Sequence, residues 1–395
     1  MGKNDRKHFE RYRHQTEVKH LIVERYLAAF FTIMRVKQKH NELIYIDGFA
    51  GRGSYSSEDG ETIDGSPIRA LKLIAENKFL NDVVSCVFIE KDTVLAAQLK
   101  QSVDKTFSQY PQLKKEPKVR AESFTERLNI VLDWADKPAH KLPPSFLFVD
   151  PCGVDGVHFS TLQRFMGHNE CELLLFFNLD GIKRILGLGD DMGDTLPNLL
   201  GSRERAKELL SIKDGCLTPR QSEDAIVDFF EELIRTEIGA KYVVSFRVEH
   251  ETDKKASHYL IHATRHPVGF RIMKDVMWKV GRTDEGLGAM ELQQASIQGQ
   301  MLFHPHRDAI KAHILKELEN GPQAVKYFTH TLVERPDNGL STQAYTTHIQ
   351  ELEDAGKVLI LDKDGSGELA RKRQRMKNSE KLSLGVNNFV ALPKY

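Results

Sequence analysis

Two short stretches hold residue types that could do chemistry. Asp47-Gly48-Phe49-Ala50-Gly51-Arg52-Gly53 follows the apolar, β-prone run Leu43–Ile46, and Asp150-Pro151-Cys152-Gly153 follows the run Ser145–Val149. Glycine lets the backbone turn sharply and lets a ligand approach bare amides. An acid followed by a Gly-rich turn at the end of a strand suits a nucleoside-bearing ligand, because a doubly wound α/β sheet binds ligands outside the carboxyl ends of its strands. The turn does not fit the phosphate-binding patterns: it is not G-x-G-x-x-G, and no Lys-Ser/Thr follows as in a Walker loop.

It resembles motif I of class I S-adenosylmethionine (SAM) methyltransferases, D-x-F-A-G-x-G. That resemblance implies a cofactor turn made by Asp47, Gly48, Phe49, Gly51 and Gly53, facing the methionine end of SAM. Asp150-Pro151 is similar to the D/N-P-P-aromatic turn of amino-methylating enzymes that act on nucleic acid. There the acid and a backbone carbonyl accept hydrogen bonds from an exocyclic amine, and the aromatic stacks on a flipped base. Cys152 and Gly153 depart from that pattern. Pro151-Cys152 offers a second chemistry, a nucleophilic thiol placed as in C5-cytosine methyltransferases. A sulfonium is already a strong electrophile, so neither route calls for a metal.

The surrounding pattern predicts how these turns are held. Leu21, Ile22, Tyr26, Leu27, Phe30, Phe31 and Met34 recur at helical spacing and predict a helix from Val18 that packs on a sheet. Gly65-Ser66-Pro67 opens a helix with Ser66 as N-cap. Val83–Ile89 predicts the second strand, tipped by Glu90-Lys91-Asp92. Glu90 is the candidate for the ribose hydroxyls and Asp92 the second choice, with helix capping as its ordinary role. Lys118–Glu122 predicts the third strand, placing Glu122 and Ser123 near the adenine. Ser145–Val149 and Glu172–Asn178 are the fourth and fifth, and strands alternating with helices argue for a mostly parallel sheet. Tyr242–Val248 and His258–Ala263 read as a terminal antiparallel hairpin.

The expected architecture is an α/β, Rossmann-like methyltransferase domain over residues 1–300, with a helical insertion at about 181–240 that could serve as a substrate lid. A winged-helix-like domain is expected over 301–395. In the latter, Asp308–Leu318, Gln323–Val333 and a segment capped by Ser341 are the expected helices. Val358–Leu361 and Asn388–Leu392 flank a loop carrying Arg371, Lys372, Arg373, Arg375 and Lys377, candidates for phosphate contact.

Composition narrows the classes. The chain has 395 residues, 40% hydrophobic and 28% charged, enough for a large core. Formal net charge is +0, so any nucleic-acid surface must be local. The four cysteines show no C-x-x-C pairing, so neither a zinc knuckle nor a disulfide framework is indicated. The start is charged, and no apolar run is long enough to span a bilayer, so a cytoplasmic protein is expected.

Together, KHLIVERYLAAF, YIDGFAGRGSY with GSP after it, FIEKD, FVDPCGVDGV and HYLIHATRHPVGFRIMKDVMWK resemble the bacterial three-Cys-motif partner (TcmP) family, over most of the first 285 or so residues. The resemblance implies a Rossmann-like methyltransferase fold and a partner with a three-cysteine, radical-SAM-like motif. Lys19-His20, with the D-x-F-A-G-x-G and D-P turns, is also similar to adenine-N6 methyltransferases of the ribosomal-RNA type, and by that likeness Lys19 and His20 join the cofactor-binding set. The resulting expectation is a SAM-dependent methyltransferase acting on nucleic acid, DNA or RNA, or on a product of the partner. The alternative is a non-catalytic partner that keeps the fold to bind nucleic acid or to scaffold. A nuclease would need a carboxylate cluster for metal, and the acids of Asp190–Asp194 lie in a glycine-rich stretch.

Overall fold

The computed structural model describes residues 3–56, 62–151, 153–249, 256–281, 291–292, 307–335, 337–361, 384–385 and 387–393. It divides into two compact units, with a boundary between Phe270 and Arg271. The boundary expected at 300/301 lies outside the described residues.

In the first unit, besides a short antiparallel pair at Ser54–Ser56 and Thr62–Asp64, the strands of the large sheet are β1 (Leu43–Asp47), β2 (Val84–Ile89), β3 (Lys118–Arg120), β4 (Ser145–Val149), β5 (Cys171–Asn178), β6 (Tyr242–Glu249) and β7 (Ala256–Thr264). They lie side by side in the order β3-β2-β1-β4-β5-β7-β6. β1 through β5 are mutually parallel, while β7 runs antiparallel to both β5 and β6. β4 is buried at every position and β5 at all but its last, which explains their unbroken apolar runs: central parallel strands are covered on both faces. The sequence of the sheet reverses direction between β1 and β4. That switch point is where an open α/β sheet leaves a crevice.

Helices fill the crossovers: α2 (Ser66–Glu76), α3 (Thr93–Gln109), α4 (Phe124–Ala135) and α5 (Phe159–Gly167). α1 (Lys3–Thr32) begins well before the expected Val18 and ends in a π turn at Ile33–Lys37. Ile22, Tyr26, Leu27, Phe30 and Phe31 are buried. Tyr26 sits 5.5 Å from Phe146 of β4 and 4.7 Å from His262 of β7, ring centre to ring centre, so α1 does pack on the sheet.

Between β5 and β6 come α6 (Leu179–Leu186), α7 (Thr195–Leu200), α8 (Arg203–Asp214) and α9 (Pro219–Thr236). α9 starts with a capping box between Thr218 and Gln221. Its Ile226, Val227, Phe230 and Ile234 are fully buried, with Phe230 against Phe159 of α5 and Phe177 of β5. The insertion was expected as a lid, but apolar residues at this spacing make α9 a wall of the core.

The second unit takes most of α10 (Pro267–Gly281), then α11 (Arg307–Glu317), β8 (Gln323–Ala324), a π turn at Tyr327–Leu332, α12 (Thr342–Asp354), β9 (Leu359–Leu361) and β10 (Phe389–Ala391). Its sheet runs β8-β10-β9, antiparallel throughout. The helix expected over Gln323–Val333 is absent as such, because Gln323 and Ala324 pair with Val390 and Phe389 and the Val325 amide donates to the Asn388 carbonyl at 2.8 Å. Ile310, Ile314, Phe328, Leu332, Tyr345, Ile349 and Val390 form the core of this unit. Arg371, Lys372, Arg373, Arg375 and Lys377 lie outside the described residues. Among the described residues, no helix is long and apolar enough to cross a membrane.

Candidate cofactor crevice

Asp47 closes β1 and is completely buried. Its Oδ2 accepts from the Ser66 hydroxyl at 2.7 Å and its Oδ1 from the Phe49 amide at 3.3 Å. Ser66 is therefore not the N-cap of α2. Gly65 holds that position, and Ser66, one residue into the helix, turns its hydroxyl onto the acid. Burial pushes the Asp47 carboxyl up to about 6. The hydrogen bond from Ser66 opposes that rise, the charge of Asp150 adds to it, and the Phe49 amide and Lys19 oppose it. Being sealed under the turn, Asp47 acts on the crevice by charge and by fixing the turn.

The turn itself is pinned on both sides. The Gly48 amide donates to the Phe148 carbonyl and the Ala50 amide to the Ile89 carbonyl, both at 2.9 Å. Gly51 and Gly53 have φ of +61° and +82°, backbone that a side chain resists. Gly48 is needed for a different reason: a Cβ there would lie 2.6 Å from the ring of Phe124. Phe124 in turn packs on Phe49 at 5.3 Å, so one ring of the turn is held by α4. At Gly53 a Cβ would meet Leu99 at 2.9 Å. Gly53→Ala is expected to lose about 1–3 kcal/mol of stability, from the left-handed backbone plus that contact. A urea midpoint unchanged from the wild type would contradict this.

Glu90, just beyond β2, bridges the turn and the next helix. Its Oε2 accepts from the Gly51 amide at 3.0 Å and its Oε1 from the Asp92 amide at 2.8 Å. An ionised carboxylate has about four acceptor sites, so these two bonds leave capacity for ribose hydroxyls. Asp92 does the capping expected of it, accepting from the amides of Val94 and Leu95. β3 stops at Arg120, two residues short of expectation, and Glu122 faces Arg127 at 3.7 Å. Ser123 caps α4 through the Glu126 amide.

Asp150 stands at the tip of β4, across the switch point from Asp47. It is paired with Lys19 of α1, whose ammonium donates to its Oδ2. The same ammonium lies 4.9 Å from the centre of the Phe176 ring. Lys19 was expected with the cofactor set; its partner in the structure is Asp150, the residue expected to orient the acceptor. His20 is buried beside it, and burial, then the charges of Lys19 and Arg69, hold its imidazole well below the usual range. Pro151 is buried, and its carbonyl accepts from the Gly153 amide at 2.7 Å, which makes the D-P turn tight. Cys152 lies outside the described residues. Cys86 and Cys171, both buried, are pushed up to about 12 by burial, so neither is a ready thiolate.

Lys19, Asp47 and Asp150 are thus gathered at one end of β1 and β4, and Gly51 and Glu90 at the end of β2. Sequence reasoning missed Ser66 as a partner of Asp47 and missed the ring of Phe176. The only signal for the latter was a Phe pair at the end of a strand that otherwise reads as core.

The strand order, the single reversed strand β7 and the two acids flanking the switch point belong together. The arrangement is consistent with a class I methyltransferase fold. No protein-family model and no curated protein matches the chain. Among solved structures it is similar to a DUF519 protein of Legionella pneumophila, at 12% identity and a TM-score of 0.42 over 70% of this chain and 94% of that one. It is also similar to the plantazolicin methyltransferase BpumL in complex with SAH, at 10% identity and a TM-score of 0.33, covering 66% and 90%. The DszA carbon methyltransferase gives 12% identity and a TM-score of 0.30, covering 59% and 51%. These likenesses are too distant to add weight to the topology and the crevice. Among the described residues, no group of three or more His, Cys, Asp or Glu is placed to hold a metal.

Proposed function

We propose that this chain is a SAM-dependent methyltransferase whose acceptor is an amine on nucleic acid, or on a product of a three-cysteine, radical-SAM-like partner such as the TcmP resemblance implies. The observation that carries this reading is the pair of acids at the tips of β1 and β4, on either side of the switch point, close enough for the charge of Asp150 to add to the cost of ionising Asp47. When bound, the cofactor supplies a sulfonium-activated methyl group, which passes to a nitrogen lone pair while the electrons of the broken C–S bond stay on sulfur. Gly51 and Gly53 keep the turn bare of side chains, and Glu90 would hold the ribose. Asp150 orients the amine through the oxygen that Lys19 leaves available and takes the proton that the methylated nitrogen gives up. Asp47 contributes negative charge beneath the cationic cofactor.

Calorimetry with SAM and with its demethylated product tests the reading directly; failure of both to bind the purified protein removes it. The same titration has an expected pH dependence. Asp47 is raised to about 6, so it is ionised at pH 7 and protonated progressively below 6. SAM affinity is therefore expected to hold above that point and to fall below it, by up to about tenfold per pH unit. A flat profile between pH 5 and 7 would show that Asp47 does not act on the cofactor. For stability the sign is opposite: ionised, buried Asp47 costs stability at neutral pH, and that cost is relieved as pH falls through 6.

The second unit supports a winged-helix reading through its order of helix, short strand, turn, helix and two antiparallel strands. On that reading the loop with Arg371, Lys372, Arg373, Arg375 and Lys377 would contact phosphates. α12 carries no Lys or Arg, so phosphate affinity would fall to the loop. One observation favours the rival, a non-catalytic nucleic-acid-binding or scaffolding partner: Asp150 already has Lys19 as a counter-charge. Masses of nucleic acid from cells with and without the gene separate the two.

A further inference from the structure

We propose that Arg52 receives the carboxylate at the methionine end of the cofactor, with its guanidinium held ready on the ring of Tyr55. The inference rests on the methyltransferase reading above and names the group that selects a cofactor whose amino acid is intact. Arg52 stands inside the glycine turn, between Gly51 at φ +61° and Gly53 at φ +82°, so its backbone is fixed on both sides. Its side chain is exposed, and the guanidinium carbon lies 5.6 Å from the centre of the Tyr55 ring. Tyr55 belongs to the short antiparallel pair that follows the turn, where it is opposite Ile63. The Gly65 amide ties that pair back by donating to the Gly53 carbonyl at 2.7 Å. The tyrosine then leans over the turn. Its hydroxyl is 3.0 Å from where a Cβ on Gly51 would lie, and its ring edge 3.4 Å from one on Gly65.

The charges around the turn point to the group it would bind. The crevice gathers three acids, Asp47, Glu90 and Asp150, which suit a sulfonium and an ammonium but repel a carboxylate. The methionine end of SAM carries all three of those groups, so its carboxylate needs a cation. Lys19 of α1 is already paired with Asp150, and on α2 Arg69 is paired with Glu17 and Glu24, and Lys72 with Asp64. Arg52 has no acid within ion-pair reach among the described residues. Stacking on Tyr55 occupies one face of its guanidinium and leaves the N–H edge, where a carboxylate binds through two parallel hydrogen bonds. An arginine that merely solvates the loop would be indifferent to whether the ligand keeps its carboxylate.

The test is calorimetry of the full chain with SAM and with decarboxylated SAM, which keeps the sulfonium and the ammonium. The wild type is expected to bind SAM about ten- to a hundredfold more tightly. Arg52→Gln is expected to lose that preference by weakening SAM alone, and Arg52→Lys to keep part of it. Equal affinity of the wild type for the two ligands overturns the proposal, and that comparison needs no variant to fold. A preference that Arg52→Gln retains, or a loss in Arg52→Gln that is equal for both ligands, overturns it as well. In each of these cases the methyltransferase reading survives. If neither ligand binds the wild type, that reading falls first and takes this one with it.

Discussion

Asp150→Asn is expected to lower methyl transfer about a hundredfold or more while the protein still binds its cofactor. Asparagine keeps the size of the side chain at the tip of β4 but loses the negative charge that accepts from the amine and receives its proton. Proton transfer to a positioned side chain contributes about 10²–10⁴-fold in rate. The substitution also leaves Lys19 without its counter-charge, so Lys19→Met with Asp150→Asn is the informative companion. If the double variant is no faster than the single one, the loss belongs to the carboxylate and not to a stranded ammonium. A secondary effect gives an independent check. Asp150 is among the causes that raise Asp47, so the pH at which SAM affinity falls should move below 6 in the Asp150 variant. The assay is release of labelled methyl from SAM onto total nucleic acid from cells lacking the gene. Full activity in Asp150→Asn would defeat the assignment, as would a Cys152→Ser variant that alone abolishes transfer.

Glu172→Ala carries the largest expected effect on stability. Glu172 lies inside the apolar run of β5 and is 2% exposed. It accepts from the Tyr26 hydroxyl of α1 through Oε2, and the His262 Nε2 of β7 lies 3.1 Å from that same oxygen. The Thr264 hydroxyl donates to Oε1 at 2.8 Å. Burial first, then the adjacent negative charge, holds the Tyr26 phenol well above its usual range, so it stays a donor. Gly269 packs so closely that a Cβ there would lie 2.3 Å from Oε1. Removing the carboxylate strands a phenol and an imidazole in a dry site, which costs about 3–5 kcal/mol. Glu172→Gln keeps the shape and part of the hydrogen bonding and should lose about 1–3 kcal/mol. Urea unfolding of the two variants decides this; a loss below about 1 kcal/mol in the alanine variant would mean that water or rearrangement satisfies the partners.

What was legible in the sequence follows from what is local. The strands β1, β2, β4 and β5 announce themselves because central strands are apolar on both faces, and the turn after Asp47 because only glycine tolerates its backbone. The contacts that tie α1 to the acids of the sheet are not local. Lys19 meets Asp150 across 131 positions of chain, and Tyr26 meets Glu172 across 146. No spacing rule reports such meetings; only the packing of α1 on the sheet does. Ser66 misled for a related reason, since a serine between Gly and Pro has the signature of a cap, and the decisive partner, Asp47, arrives from another strand. In the second unit, Gln323–Val333 has helical spacing, but a strand at the edge of a small sheet draws its first residues into the ladder.

The counter-ion of Asp150, Lys19, arrives on α1 and not on the sheet that bears the acids. A truncated variant beginning after Lys19 would keep β1, β4 and the glycine turn, and with them, on the function proposed above, the means to hold a nucleoside. It would nonetheless leave the Asp150 carboxylate without its counter-charge. On the function proposed above, cofactor capture and acceptor choice would be lodged in separate pieces of chain, and α1 would be the piece by which one could be altered without disturbing the other.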